Sequence, residues 1–161
     1  MTALNEADEL HLRSAFRVAV RARAEGNLPF GCVVVDAAGE VIIEQGNEAL
    51  LPARDATAHA ETLAARRAAR RHEPRDLNGF TLYTSAEPCA MCAGAIYWAG
   101  IGRVVFGLTE HDLKALTGNH PDNPTMDLPC REVFARGQRT VEVLGPNLVD
   151  EALAVFDGYW G

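Results

Sequence analysis

The sequence lacks long apolar runs and is short of basic residues, and each shortage excludes a class of protein. No apolar stretch approaches the roughly 18 residues that a membrane-spanning helix needs. The first residues are polar and acidic, without the apolar core of a secretory signal, so a cytoplasmic location is expected. Fifteen Lys and Arg face 22 Asp and Glu, which gives a net charge of −7. This balance argues against stable binding to nucleic acid through general electrostatics.

Cysteine is also scarce: the chain has four, Cys32, Cys89, Cys92 and Cys130. A chain of 161 residues can build a full hydrophobic core and needs no disulfide. Cys32 lies in an apolar run and is expected to be a small core residue. The close pair Cys89 and Cys92 favours metal or redox chemistry instead.

The pattern of apolar residues predicts one domain over residues 1–161, without repeats or linkers. A first helix ends at Gly26, and two β-branched runs around "DAAGE" form a hairpin. A second helix is expected from about Thr57 to Arg71. Shorter strands and helices then alternate, with a proline-broken loop at "NHPDNPTMDLP". Helices on both faces of a central sheet make a three-layer α/β/α sandwich.

The segment "EPCAMC" carries the first sign of a metal site. Cys89 and Cys92 are three residues apart, so both thiols point the same way if a helix begins there. Pro88 suits the first helical position, where its missing N–H costs nothing. A helix N-terminus also lowers thiol pKa values and favours thiolates. A zinc pair, a redox dithiol and two buried structural cysteines all fit this segment alone.

His59 and Glu61 in "AHAE" extend the pattern. Two thiolates and one imidazole give three protein ligands and leave the fourth tetrahedral position to water, as in catalytic zinc sites. Zinc lowers the pKa of that water to about 7, and a nearby Glu61 can accept its proton. By itself, His-x-Glu is more often a core or surface histidine beside a solvated glutamate. The neighbouring cysteine pair favours the catalytic interpretation.

Together, "HAE" and "PCAMC" form the pattern of zinc-dependent nucleobase deaminases. The sequence resembles the cytidine deaminase-like superfamily over nearly its whole length, through "PFGCVVVD", "GNEALLPARDATAHAE" and "LYTSAEPCAMCAGAIYWAGIGRVVFG". These blocks are similar to those of its purine-acting branch, which includes guanine deaminases and tRNA adenosine deaminases. The resemblance implies a mixed five-stranded sheet between helices, one Zn²⁺ per chain and a homodimer. It also implies that Glu61 carries protons to the ring nitrogen and to the departing ammonia.

The resemblance implies substrate contacts as well. Asn47 matches a residue that hydrogen-bonds the base, although the segment from Asn47 to His59 is one residue longer than usual. Phe30 matches a residue that lines the pocket, and the backbone at Ala58 and the region from Ser85 to Glu87 are expected to border the site. A turn-forming asparagine and a core phenylalanine are the structural alternatives.

Guanine deaminases of this fold often close the pocket with an aromatic C-terminus and use a second acid after the fourth strand. Tyr159 and Trp160 occupy the first of these regions, although docking of a terminal helix on the core explains them equally well. Asp122 is the expected second acid, and His120 and Asp127 compete for that role.

The expected substrate is a free nucleobase or nucleoside, guanine or a related purine first. A tRNA adenosine deaminase is the main alternative, but the C-terminal segment has no Lys or Arg after Arg139. The basic run "RRAARR" is spaced around a helix and favours a solvated face. Cytosine, cytidine and aminotriazines are further alternatives, and a zinc-stabilised binding module without catalysis is a third class.

Overall fold

The computed structural model of the protein describes residues 3–118 and 120–160. Its centre is a five-stranded sheet in the order β2-β1-β3-β4-β5. β1 pairs antiparallel with β2 and β3, whereas β4 pairs parallel with β3 and β5, so the predicted mixed sheet is confirmed. The strands are β1 Gly31–Val35, β2 Val41–Gly46, β3 Thr81–Ala86, β4 Arg103–Leu108 and β5 Glu142–Leu144.

Helices cover both faces of this sheet, which confirms the three-layer sandwich. Strand side chains alternate between the faces: Leu82 and Val104 join a core with α2, α3, α4 and α6, whereas Tyr83 and Val105 join a core with α1, α5 and α7. No helix among the described residues is long and apolar enough to span a membrane. The helices are α1 Glu6–Ala24, α2 Ala60–Ala69, α3 Pro74–Leu77, α4 Ala90–Ala99, α5 Glu110–Thr117, α6 Cys130–Ala135 and α7 Val149–Ala154.

A buried acid fixes the start of α1 against the sheet. Asn5 and Asp8 form a reciprocal capping box at the helix N-terminus. The Asp8 carboxylate also accepts a hydrogen bond from the Tyr83 hydroxyl at 2.7 Å and from the Arg103 guanidinium at 2.8 Å. The hydrogen bond with Arg103 is the largest of several effects that lower the pKa of Asp8 to about 2. A helix on one face is thereby joined to β3 and β4.

Two local predictions need correction. The second helix begins at Ala60 rather than Thr57, because the Asp55 carboxylate accepts the Thr57 N–H at 2.9 Å in a turn that competes with the helix. Pro88 is not the first residue of α4, since Cys89 is the N-cap. The unpredicted short helix α3 does have proline at its first position, Pro74.

Candidate active site

His59, Cys89 and Cys92 meet at the N-terminal ends of α2 and α4. His59 and Cys89 are the N-caps of these helices, and Cys92 lies in the first turn of α4. The Nδ1 atom of His59 is 3.5 Å from Sγ of Cys89 and 3.6 Å from Sγ of Cys92. A tetrahedral zinc ion, with bonds of about 2.3 Å to sulfur and about 2.0 Å to nitrogen, holds such ligands about 3.5 Å apart. The three residues therefore fit zinc and leave one coordination position open.

The pKa values of the two cysteines are shifted in opposite directions. The neighbouring Cys92 thiol, aided by His59, lowers the pKa of Cys89 to about 4. The proximity of Cys89, together with burial, raises the pKa of Cys92. The Thr62 hydroxyl donates to Sγ of Cys92 at 3.2 Å. A metal ion would bind both cysteines as thiolates, so its binding would release the thiol protons.

Glu61 lies beside this triad, and the helix boundary explains the close His-x-Glu spacing. His59 is an extended N-cap with φ −70° and ψ 147°, so it does not follow helical geometry, whereas Glu61 belongs to the first turn. The Thr84 hydroxyl donates to Oε1 of Glu61 at 2.5 Å, and Oε2 is 3.6 Å from Sγ of Cys92. Burial raises the pKa of Glu61 above the ordinary value of a glutamate.

A cavity of about 510 Å³ opens onto this cluster, with His59, Glu61 and Cys89 in its wall. Asn47 and Phe30 also line it. Asn47 is buried, and its Oδ1 accepts the backbone N–H of Ala49 at 2.9 Å, which leaves the amide group as the available donor. The Phe30 ring packs edge-on against a core phenylalanine with ring centroids 5.5 Å apart.

Ala58 lies beside the cavity rather than in its lining. It is buried, and its carbonyl accepts the Glu48 N–H at 3.0 Å. Ala56 and His59 form the wall at this point. The carbonyl of Ala58 is therefore already engaged within the protein, and its contact with a substrate stays a prediction.

The loop before α6 brings Asp122 into the cavity lining. Asp127 is instead drawn outwards, with its carboxylate 3.0 Å from Nδ1 of His111 and 3.7 Å from Nζ of Lys114. The imidazole of His120 accepts the Asp122 N–H at 3.2 Å and so helps to shape the loop. Of the three residues considered for the second acid, Asp122 is the one in the cavity wall.

Of the two C-terminal aromatics, Trp160 contacts this loop and Tyr159 packs against Trp160. The ring of Trp160 is 5.1 Å from that of His120, and the ring of Tyr159 lies under the Arg23 guanidinium at 5.3 Å. Neither Tyr159 nor Trp160 is among the residues that line the cavity. Their contacts support the cavity loop, and direct capping of a substrate stays a prediction.

Of two buried glutamates at the site, Glu87 lies in a region that was expected to border it, but its contacts were not predicted, and Glu110 was not predicted at all. Glu87 is buried, and its carboxylate accepts the backbone N–H groups of Glu110 and Cys130, each at 2.9 Å. It thereby ties the N-termini of α5 and α6 together beside the cavity. Glu110, also buried, lines the cavity itself. In the sequence an acid in a first helical turn indicates only a favourable interaction with the helix dipole, so no local signal distinguished it.

Comparison with known proteins agrees with this geometry. Residues 5–108 match the cytidine and deoxycytidylate deaminase zinc-binding region. A probable cytosine deaminase of Schizosaccharomyces pombe is 43% identical over 159 residues, which cover 99% of this chain and 96% of that protein. A tRNA-specific adenosine deaminase of Haemophilus influenzae is 41% identical over 112 residues, covering 70% of this chain and 64% of that protein.

Similar structures have the same architecture. A guanine deaminase from Nitrosomonas europaea superimposes with a TM-score of 0.76 and 25% identity, over 99% of this chain and 86% of the other. Together, the matched region, the nearly full-length relative and the three-ligand site place the chain in a known group. It belongs to the cytidine and deoxycytidylate deaminase zinc-binding family and is a zinc-dependent deaminase of the nucleobase or tRNA adenosine type.

Proposed function

We propose that the protein hydrolytically deaminates a free nucleobase, with guanine or a related purine as the first candidate. Water replaces the exocyclic amino group with an oxygen, and ammonia leaves. The observation that carries this proposal is the meeting of His59, Cys89 and Glu61 in the wall of one cavity of about 510 Å³. Such a cavity is within the range that small-molecule sites in proteins occupy.

The residues of the cavity divide the chemistry among them. A zinc ion held by His59, Cys89 and Cys92 would supply Lewis acidity that makes water a nucleophile at neutral pH. Glu61 accepts one proton from the water and passes it to the ring nitrogen. It then accepts the remaining proton of the added hydroxyl group and passes it to the amine, which leaves as ammonia while the carbonyl forms. The Thr84 hydroxyl holds Oε1 of Glu61, which leaves Oε2 on the side of Cys92 to carry that proton. The short, fixed hydrogen bond limits the orientations that Glu61 can adopt.

Asn47 and Phe30 orient the base in this proposal. Because the Oδ1 atom of Asn47 is engaged by the Ala49 N–H, its amide N–H groups are left to donate to a carbonyl oxygen or a ring nitrogen of the substrate. The Phe30 ring contributes an apolar surface for a flat heterocycle. Asp122, in the loop before α6, also lines the cavity and is the proposed second acid.

Charge favours a free base over tRNA. Among the described residues that line the cavity, Arg54 is the one permanently cationic side chain, whereas Glu61, Glu87, Glu110 and Asp122 are acidic. A polyanionic substrate gains its affinity mainly from Lys and Arg contacts to phosphates. The cavity lining offers few such cationic contacts, and the whole chain carries a net charge of −7.

Cytosine is a second candidate, and one observation favours it. The probable cytosine deaminase of S. pombe is similar to this chain over 99% of its length, a span that includes the loop around Asp122 and the C-terminal segment. These two regions form or support the cavity wall. A pyrimidine would occupy less of the cavity than a purine does.

Two exposed apolar side chains of α4 support the proposal of a homodimer. Trp98 is 82% exposed and Met91, which also lines the cavity, is 38% exposed. An exposed tryptophan is typical of the residues that anchor protein interfaces. The homodimer and the cytoplasmic location stay predictions.

The test is ammonia release by the zinc-loaded protein from guanine, cytosine, adenine, their nucleosides, aminotriazines and a tRNA with adenosine at the wobble position. Turnover of a free base is expected, and turnover of the tRNA alone would overturn the proposal. Glu61→Gln should keep one zinc per chain but lose at least about 100-fold in kcat, the usual range for a general acid–base group. Glu132→Gln, the same change at an exposed position in α6, is the control.

A further inference from the structure

We propose that Glu110 is a specificity-determining substrate contact that accepts an N–H of the base other than the leaving amine. Through this hydrogen bond the site selects free bases over their N-glycosylated forms. This inference rests on the proposed function, since it concerns the same cavity and the same class of substrate.

Glu110 is placed for contact with a ligand. It is only 4% exposed, yet it lines the cavity that holds His59 and Glu61. Its backbone N–H is held by Glu87, so the start of α5 is fixed. No hydrogen bond or ion pair from the described residues engages its carboxyl oxygens, although nearly all buried carboxyl groups in proteins have a partner. The open cavity side is where such a partner can enter.

The carboxyl group offers an acceptor in both protonation states. Burial and the nearby acidic groups, with Cys89 and Glu61 foremost, raise the pKa of Glu110 to about 9. A neutral carboxyl has a carbonyl oxygen as acceptor and a hydroxyl donor, and an ionised one has two acceptors. In either state, an N–H of a bound ring satisfies an oxygen that the protein leaves unpaired.

Selection against N-glycosylated substrates follows from that acceptor. In the free base, the ring nitrogen that bonds to the sugar of a nucleoside carries a hydrogen instead, and this N–H is a donor. A nucleoside bound in the same position lacks this N–H donor, so the Glu110 carboxyl oxygen stays unpaired, which costs binding free energy. Sites built around a hydrogen bond to substrate reject analogues that lack it far more strongly than apolar sites reject an extra methylene.

The experiment compares kcat/KM for two pairs, guanine with guanosine and cytosine with cytidine. The proteins are the zinc-loaded wild type, Glu110→Ala and Glu110→Gln. For the free base, Glu110→Ala should lower kcat/KM about tenfold or more, while the value for the nucleoside changes little. Glu110→Gln keeps an acceptor oxygen, so its kcat/KM for the free base should lie between those of Glu110→Ala and the wild type. Asp112→Asn, two residues later on the exposed side of α5, should match the wild type.

Zinc content and the thermal midpoint of each variant separate contact from folding. If Glu110→Ala fails to fold, the ratio of kcat/KM for free base to that for nucleoside in Glu110→Gln provides the readout, and a ratio equal to that of the wild type overturns the inference. The Glu110 inference is overturned if folded, zinc-loaded Glu110→Ala has the same ratio of kcat/KM for the free base to kcat/KM for the nucleoside as the wild type. The proposed function is then left intact. If the wild type acts on none of the bases or nucleosides, the proposed function fails, and the Glu110 inference fails with it.

Discussion

Replacement of Glu87 by glutamine tests how the fold holds the cavity wall. The Glu87 carboxylate is 5% exposed and accepts two backbone N–H groups, those of Glu110 and Cys130, both at 2.9 Å. Glutamine keeps one carbonyl acceptor and points an NH₂ donor at the other N–H. One charge-assisted hydrogen bond is then lost, and the second becomes a weaker neutral one.

The magnitude follows from these two hydrogen bonds. A hydrogen bond to a charged group contributes about 1.5–3 kcal/mol and a neutral one about 0.5–1.5 kcal/mol. The loss is partly offset because a buried carboxylate no longer has to be desolvated. We expect Glu87→Gln to lower the free energy of unfolding by about 2 kcal/mol. In a domain of this size, that corresponds to roughly 4–8 °C in the thermal midpoint.

Urea unfolding at a fixed zinc concentration measures the change, since bound metal adds to apparent stability. Glu132→Gln, the same substitution at an exposed position in α6, should have the same urea midpoint as the wild type. Glu87→Gln should also weaken the preference for free bases, because the N-terminal turn that carries Glu110 is no longer fixed. A midpoint equal to that of Glu132→Gln would refute the view that Glu87 holds α5 and α6 together.

Two further changes test the metal site and the anchor of α1. Cys89→Ala should reduce bound zinc from one per chain to a small fraction, measured by atomic absorption, whereas Cys130→Ala, another buried cysteine, should keep its zinc; normal zinc in Cys89→Ala would reject the ligand assignment. Asp8→Asn should cost about 2 kcal/mol at pH 7, because the pKa of Asp8 is lowered from 3.8 to about 2, mainly by Arg103. That stability is present above about pH 4 and is lost as the pH falls through about 2, so the unfolding free energies of variant and wild type should converge over this interval; a constant difference would exclude the ionised carboxylate as its source.

Much of the metal site is predictable from the sequence because its determinants are local. His59 and Glu61 are two residues apart, Cys89 and Cys92 three, and these spacings fix the relative directions of the side chains once a helix start is placed between them. The helix starts themselves were less predictable. The Asp55 turn delays α2 to Ala60, a competition between side-chain and helical hydrogen bonds that periodicity does not register.

The rest of the cavity depends on contacts between distant segments. Glu110 in "TEHD" and the exposed Asp112 two residues later are both acids in a first helical turn, and only the docking of α5 on the sheet decides which one faces the cavity. Trp160 is a similar case. Its aromatic character indicated a cap or a core contact, and its position against His120 depends on where the loop before α6 returns.

The parallel pairing of β3 and β4 explains why these groups meet. Both strands end at the same edge of the sheet, so the helices that follow them, α4 and α5, begin side by side. Because β2 and β3 are both antiparallel to β1, β2 ends at this edge as well, and α2 begins beside α4, where His59 meets Cys89. Three helix N-termini with partial positive charge therefore surround one cavity. They favour the Cys89 thiolate and help to offset the burial of Glu61 and Glu110. The dipoles do not provide a full positive charge, which a divalent cation on His59, Cys89 and Cys92 does. Metal binding and the stability of the buried acidic cluster are thus coupled.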